Sequence, residues 1–243
     1  MAAGIILTSC KKDKTETPTV TEKRVSKFMN GGTANTLLTY NSDGSLAQFT
    51  GSSSYKILYD YSNNAISAKV YSYNVLDNEA KNAVISNSKL QSIFFQQYNN
   101  GNPSYSYTYH FSYNTDGTMA QYDDDYSESV IKFAYTGGNF TKVMEYNNAA
   151  LISTRTYEYY TDKPNKFNLP FQEYFQEMPI LAKDLLGKKN ANLMKKIVSV
   201  RGANTYTTTF TYQLDAEGYV TQFTQVSQKN NDPSNTYVID VVY

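Results

Sequence analysis

Along much of the chain, apolar and polar side chains alternate one by one. Aromatic rings occupy every second position from Tyr105 to Tyr113, separated by Ser, Thr and His, and a similar alternation with Thr runs from Tyr206 to Tyr212. Because successive side chains of a β-strand point to opposite faces, this pattern predicts strands with one aromatic face and one polar face. The sequence therefore predicts antiparallel strands that bury one face and expose the other.

A short turn motif separates these strands and repeats along the chain. Tyr40–Gly44 has the sequence Tyr-Asn-Ser-Asp-Gly, Tyr113–Gly117 has Tyr-Asn-Thr-Asp-Gly, and looser copies begin at Tyr61, Tyr135 and Tyr212. Asp-Gly and Gly-Gly pairs favour hairpin turns because these residues tolerate a positive φ. Repetition of such a unit indicates one supersecondary element stacked on itself several times.

The repeat predicts the fold class. We expect a mainly β fold, an antiparallel meander of repeated hairpins that forms a curved sheet or an incompletely closed barrel, because a one-faced sheet must curl to hide its rings. The strands predicted after the turns are Leu46–Thr50, Ile66–Tyr73, Met119–Tyr122, Phe140–Tyr146, Lys196–Val200 and Tyr219–Val226, followed by a closing strand Thr236–Tyr243.

Two insertions interrupt the repeat. The second carries apolar residues at helical spacing, which predicts a helix near residues 169–186 that ends at Gly187. We hypothesise that this helix acts as a lid over the sheet through Phe171, Tyr174, Phe175 and Met178. The first insertion, at about Asp77–Ser88, is polar and its pattern indicates no element clearly, with a short helix as one option.

The pre-turn tyrosine falls on the aromatic face in every copy, so the hairpins are expected to share one continuous surface. The residues assigned to this surface are Tyr59, Tyr61, Tyr107, Tyr109, Phe111, Tyr113, Phe133, Tyr135, Phe210 and Tyr212. Such a surface forms either a core or a ligand-binding wall. The absence of Trp, the largest stacking surface, favours core packing over a sugar-binding pocket.

The amino terminus carries a second signal. Residues 7–10, Leu-Thr-Ser-Cys, match the bacterial lipobox, in which Cys10 becomes the lipidated first residue. The stretch before Cys10 is short and lacks a basic segment, so we expect a truncated signal. The domains predicted are a lipoprotein signal at 1–10, a polar, disordered tether at 11–24 and a single β-repeat domain at 25–243.

Composition limits the chemistry. The 22 basic and 22 acidic residues balance, so no nucleic-acid partner is expected. With His110 the single His and Cys10 assigned to lipid, no metal site, catalytic residue or cofactor is predicted. Asp123–Asp125 is interpreted as a turn rather than a calcium site, since it lacks the spaced ligands of a known loop. The carboxylates available to a hydrolase are Glu145, Glu158, Glu173 and Glu177.

The lipobox followed by lysines, the Tyr-Asn-x-Asp-Gly-x-Leu units and the segment Lys166–Pro170 together give a resemblance to a known family. The chain is similar to a family of uncharacterised lipoproteins of Bacteroidota, described as a domain of unknown function, and more distantly to the tyrosine–aspartate repeats of Rhs-type shell proteins. The first resemblance covers nearly the whole chain. It implies a location in the cell envelope, at the outer membrane, and no activity.

The sequence thus favours a non-enzymatic, membrane-anchored envelope lipoprotein that serves as a binding or scaffold module. Its partners are expected to be the membrane, through the N-terminal lipid, and an envelope protein, glycan or lipid. A carrier of a lipid-like or glycan ligand in a Tyr-lined cavity and a carboxylate-based hydrolase are the alternatives. An outer-membrane barrel is a further alternative, suggested by the alternation of Tyr237, Ile239, Val241 and Tyr243.

Overall fold

The computed structural model describes residues 23–51, 54–61, 66–166 and 184–243. Sixteen strands occur in these residues, and each pairs antiparallel with its neighbours in sequence. They are β1 Lys27–Asn30, β2 Thr33–Tyr40, β3 Leu46–Thr50, β4 Tyr55–Asp60, β5 Ser67–Ser72, β6 Val75–Ser86, β7 Lys89–Asn99, β8 Asn102–Tyr113, β9 Met119–Asp124, β10 Ser129–Thr136, β11 Asn139–Asn147, β12 Ala150–Pro164, β13 Asn192–Arg201, β14 Asn204–Leu214, β15 Val220–Lys229 and β16 Asn235–Val242. The predicted antiparallel meander is confirmed.

The sheet closes on itself, so the prediction of a curved sheet or an incompletely closed barrel was wrong. Strand β1 pairs with β16 as well as with β2, with Lys27 opposite Val242 and Asn30 opposite Ile239. Closure gives partners to the backbone N–H and C=O groups that an open edge would leave unpaired. Local alternation did not indicate this contact, because it joins the two ends of the sequence.

Neither insertion forms an α-helix in the residues that the structure describes. Residues Val75–Ser86 form strand β6, which excludes the option of a short helix across Asp77–Ser88. The register of β6 shifts between Lys81 and Val84, around Asn82 with a φ of 55°, and this bulge hides the alternation in the sequence. The helix predicted near 169–186 falls mostly on 167–183, outside the described residues, and Asp184–Leu186 forms a single 3₁₀ turn.

The barrel has two different ends, because each strand reverses the direction of the last. The Asp-Gly turns at residues 41–45, 114–118 and 215–219 lie at one end, together with the entry of the described chain at Lys23 and its end at Tyr243. We call this the Asp-Gly end. The turns at residues 31–32, 100–101 and 202–203 lie at the other end, which we call the distal end.

The aromatic face lines the lumen. In a single closed sheet only the concave side can be covered, so the buried side chains lie inside the barrel. Ile57, Ala80 and Ile93 on this face are 0–1% exposed. Sixteen strands are enough to enclose an aqueous channel. The small side chain of Ala80 would be exposed on the wall of such a channel, yet it is fully buried. Other side chains therefore fill the lumen at this level.

A matched pair of lysine substitutions tests which face is dry. Val143 faces the lumen and is 1% exposed, whereas Val238 faces outward and is 42% exposed. Val143→Lys buries an unpaired charge and is expected to lower the free energy of unfolding by about 4 kcal/mol or more. Val238→Lys is expected to change it by less than about 0.5 kcal/mol.

Urea unfolding of the two variants measures both values. Equal destabilisation by the two lysines, or greater damage from Val238→Lys, would contradict this assignment of the faces.

Candidate functional site

A ring of tyrosines secures the Asp-Gly end of the lumen. In five hairpins, the tyrosine that closes the second strand donates its hydroxyl hydrogen to a backbone carbonyl at the start of the first strand. These bonds are Tyr40 to Val25 at 2.7 Å, Tyr61 to Leu46 at 3.0 Å, Tyr113 to Leu90 at 2.7 Å, Tyr159 to Phe140 at 2.8 Å and Tyr212 to Met194 at 2.8 Å. We call these five tyrosines the tyrosine girdle.

The girdle explains why the repeat uses Tyr rather than Phe before its turn. The ring fills the lumen while the hydroxyl satisfies a carbonyl that has little access to water, which avoids the cost of a buried unpaired acceptor. Burial of the rings raises the pKa of Tyr61, Tyr113, Tyr159 and Tyr212 above the ordinary value. The repeat therefore closes each hairpin at the Asp-Gly end.

The aspartates of the repeat build turns. Oδ1 of Asp116 accepts hydrogen bonds from the backbone N–H of Thr118 at 3.0 Å and from its hydroxyl at 2.7 Å, and these bonds lower the pKa of Asp116. Asp43 makes the same two bonds to Ser45. Gly117, with a φ of 89°, occupies the position that requires left-handed backbone. These carboxylates are thus committed to local structure.

The connection between β12 and β13 covers part of the Asp-Gly end. Leu185 is 8% exposed, and its carbonyl also accepts from the Tyr113 hydroxyl, at 3.0 Å. A Cβ at Gly187 would lie 3.0 Å from the carbonyl oxygen of Gly117, so this segment packs directly on an Asp-Gly turn. The described part of this connection therefore packs side chains and backbone over one region of the Asp-Gly end.

The distal end holds a polar cavity of about 540 Å³ inside the wall formed by β11 to β16. Its charged lining residues are Glu145, Arg155, Arg201 and Lys229. Ser153, Ser199, Thr208, Ser227, Gln228 and Asn235 add hydroxyl and amide groups, and Tyr206 adds a ring. The lumen thus changes from aromatic to polar along its length.

Strand register brings the charged groups together. Glu145 stands opposite Ser153, which stands opposite Arg201, so these three residues form one row across the lumen wall. The next row runs from Arg155 through Ser199 and Tyr206 to Lys229. Three cations and one carboxylate give the cavity a net positive charge, which suits an anionic ligand better than a cation.

The residues predicted for the aromatic face lie in the packed part of the lumen, away from this cavity. Tyr59, Phe111, Phe133 and Phe210 are 5–9% exposed. The half-buried members Tyr61, Tyr107, Tyr109, Tyr113, Tyr135 and Tyr212 pack against the same core. Cys10 and the lid residues Phe171, Tyr174, Phe175 and Met178 lie outside the described residues.

The cavity residues were missed because polar side chains were assigned to the wet face. Arg155 lies two residues before Tyr157, which is 7% exposed, so it shares the inward register of the aromatic face. A basic residue at an inward-facing position, such as Arg155, is the feature of the sequence that indicates a polar site in the lumen. The position of Arg201 beside it depends on strand pairing, which the sequence did not give.

The other candidate groups lie elsewhere. His110 is exposed on the outer face. Asp124 accepts from the backbone N–H of Tyr126 and Ser127, and Asp125 accepts from that of Thr108, so both aspartates stabilise backbone. Among the described residues no three His, Cys, Asp or Glu side chains are placed to hold a metal ion.

Of the candidate carboxylates, Glu145 lines the cavity and Glu158 lies outside the barrel, 3.5 Å from the ammonium group of Lys196. Glu173 and Glu177 lie outside the described residues. Within the described lining of the cavity Glu145 has no second carboxylate beside it, whereas glycoside hydrolysis commonly uses two.

Comparison with known proteins identifies the architecture. The sequence matches no protein-family model and no curated protein. A porin-like protein from Bacteroides uniformis is similar in structure, with a TM-score of 0.64 and 17% identity over 85% of this chain and 88% of that one. A porin-like protein from Bacteroides vulgatus gives a TM-score of 0.59 and 17% identity over 91% of this chain and 99% of that one. The chain shares their fold.

Removal of one girdle hydroxyl tests the role of the ring. Tyr113→Phe keeps the aromatic packing but leaves the carbonyls of Leu90 and Leu185 without their shared donor. We expect the free energy of unfolding, measured in urea, to fall by about 1–2 kcal/mol. Tyr73→Phe is the control, because Tyr73 is 81% exposed, and it is expected to have no effect. Equal values for the two variants would exclude a stabilising girdle.

The buried phenols also predict a loss of stability at high pH. Burial raises the pKa of Tyr135 and Tyr243 to about 12, from the ordinary tyrosine value of 10.0. A raised folded-state pKa means that the neutral form contributes stability below pH 10, and that this contribution is lost as pH rises toward about 12. The urea midpoint should fall over this range while tyrosinate absorbance rises in step with unfolding. A midpoint that stays constant would contradict the prediction.

Proposed function

We propose that this chain is a non-enzymatic binding module of the bacterial cell envelope, anchored by lipid at Cys10 and standing in water beside the membrane. Its ligand is held in the open, distal end of the lumen. The observation that carries the proposal is the polarity of the barrel. Rings fill the inside, hydroxyl-bearing and charged side chains lie on the outside among some exposed aliphatic ones, and a polar cavity opens at one end.

The outer wall supports a barrel surrounded by water. Lys69, Lys132 and Glu158 lie on the outward face near the middle of their strands and are exposed. The lipid-facing band of a transmembrane barrel is apolar, and a Lys or Arg at the bilayer midplane costs about 2–4 kcal/mol. Within the described residues no helix has the length and apolar character to cross a membrane.

The filled lumen argues against a pore for this chain. The structural neighbours are described as porin-like, and a porin needs a continuous aqueous path through the barrel. Ile57, Leu90 and Ile93 on the inner face are at most 1% exposed. The distal cavity therefore ends on a packed floor, and binding is better supported than conduction.

The path of the chain supports the proposed orientation. Lys23, at the junction with the predicted tether, lies at the Asp-Gly end, where its ammonium group is 2.7 Å from Asp215 and 3.1 Å from Glu217. A lipid at Cys10 would thus hold the Asp-Gly end toward the membrane. The distal cavity would face away from the membrane and remain open to ligands.

The chemistry of the cavity supports binding without catalysis. Cations, hydroxyl groups and amides are groups that hold and orient a ligand. Glycoside hydrolysis by carboxylates commonly uses a pair, and Glu145 lacks a second one in the described lining. The hydrolase alternative therefore gains no support from this site.

Metabolic labelling tests the anchor. A clickable palmitate analogue fed to the bacterium that carries the gene should label the natural full-length chain and leave a Cys10→Ala chain unlabelled. Ser9→Ala is a matched control, since a small residue remains before Cys10, and it should keep the label. Equal labelling of the natural and Cys10→Ala chains would exclude lipidation at this site.

Fractionation of the same cells tests the water-facing wall. The Cys10→Ala chain should leave the membrane fraction without detergent and remain folded, because exposed Lys, Glu and Thr side chains interrupt the apolar residues of its outer face. A folded Cys10→Ala chain that still needs detergent would show that the wall faces lipid, and it would overturn the proposal even if Cys10 is lipidated.

A further inference from the structure

The structure also indicates which ligand the distal cavity takes. We propose that it binds an anionic saccharide, whose acid group lies between Arg155, Arg201 and Lys229 and whose hydroxyl groups meet the small polar residues of the wall. This inference rests on the proposed binding function and gives it a chemical class.

The first argument is charge. Arg155, Arg201 and Lys229 face the lumen of a barrel whose packed core is aromatic and aliphatic. Like charges around one cavity repel one another, which destabilises the folded chain unless an opposite charge is bound nearby. Glu145 is the one carboxylate in the described lining, and Arg155 already has an interaction partner, whereas Arg201 and Lys229 form no ion pair with another described residue. An acidic ligand would neutralise the excess.

The second argument is geometry. Arg201 is opposite Ser153, and Arg155 lies two residues along from Ser153 on the same face, which makes the two arginines diagonal neighbours on adjacent strands. Diagonal neighbours are about 7–8 Å apart at the backbone, so two long side chains can reach one group between them. Guanidinium groups bind carboxylate and sulfate oxygens in pairs, which favours a planar or branched acid over a diffuse charge.

The third argument is the rest of the wall. Ser153, Ser199, Thr208 and Ser227 are small, so they leave space while offering donors and acceptors to hydroxyl groups. The Thr208 and Ser227 hydroxyls already lie 3.2 Å apart, which fixes their positions before a ligand arrives. A wall rich in hydroxyls matches a polyol better than an acyl chain.

The fourth argument is the aromatic ring at the mouth of the cavity and the apolar side chain at its base. Tyr206 is 42% exposed, and the Lys229 ammonium lies 5.9 Å from the centre of its ring, so one residue pair presents an aromatic face beside a cation. Aromatic faces pack against the C–H faces of sugar rings. Ile197, 5% exposed, forms the floor. A cavity of about 540 Å³ closed below lies within the usual size range of small-ligand sites.

Isothermal titration calorimetry with the full-length Cys10→Ala chain tests the inference. The probes are digalacturonic acid, a sulfated chondroitin disaccharide, neutral galactobiose and inorganic sulfate. We expect at least one acidic disaccharide to bind about tenfold more tightly than galactobiose and than sulfate alone, and binding should weaken as salt is added. The carboxylated and sulfated probes distinguish the two sources of the charge.

Two variants and one control locate the site. Arg201→Gln and Lys229→Gln should each weaken binding of the acidic probe about tenfold, because each removes a charged contact. Both side chains are exposed, so folding is expected to be unaffected. Lys196→Gln removes a cation from the outer face of the same strand as Arg201 and should leave the affinity unchanged.

The outcomes separate this inference from the function on which it rests. Galactobiose that binds as tightly as the acidic probes would keep a saccharide-binding module and overturn the anionic class. Sulfate alone that binds as tightly as the sugars would overturn the saccharide. Absence of binding by all four probes, or an equal loss of affinity in the Lys196→Gln control, would overturn the distal cavity as the binding site. Lipidation at Cys10 and release without detergent are measured separately, so they test the proposed function independently.

Discussion

One constraint determines the rest of this structure: a single sheet with one aromatic face has to cover that face with itself. Alternation puts rings on the same side of strand after strand, and no second described sheet is present to pack on them. Pairing β1 with β16 solves this problem and the edge problem together, because it encloses the rings and gives every outer strand a partner. The face that carries most of the charged and hydroxyl-bearing side chains is then on the outside.

The closed barrel has two ends, and they are built from different residue types. At the Asp-Gly end, the girdle hydroxyls bind backbone carbonyls and the segment around Leu185 packs over the turns. At the distal end, residues in the same inward register become Ser, Thr, Arg and Lys, and a cavity remains. One end is therefore held by hydrogen bonds and packing, while the other keeps a polar cavity.

Local features of this fold could be predicted from the sequence, and features that depend on pairing could not. Strands β8 and β14 and the turns after Tyr40 and Tyr113 follow from alternation and from Asp-Gly chemistry within a few residues. Strand β6 was missed because a bulge interrupts its alternation. The hydroxyl bond of Tyr40 and the convergence of Arg155 with Arg201 depend on which strands are neighbours, and that information lies outside any local window.

The central claim is that the aromatic face is inside and dry while the other face is wet. Single cysteines placed along β10 in a Cys10→Ala chain, and exposed to a water-soluble maleimide, test it most directly. Lys132→Cys and Ala134→Cys, on the outward face, should react quickly in the folded protein. Ile131→Cys and Phe133→Cys, which are 5% and 9% exposed in the natural chain, should react only after unfolding. Rapid reaction at the inward positions with protection at the outward ones, or no alternation at all, would contradict the account.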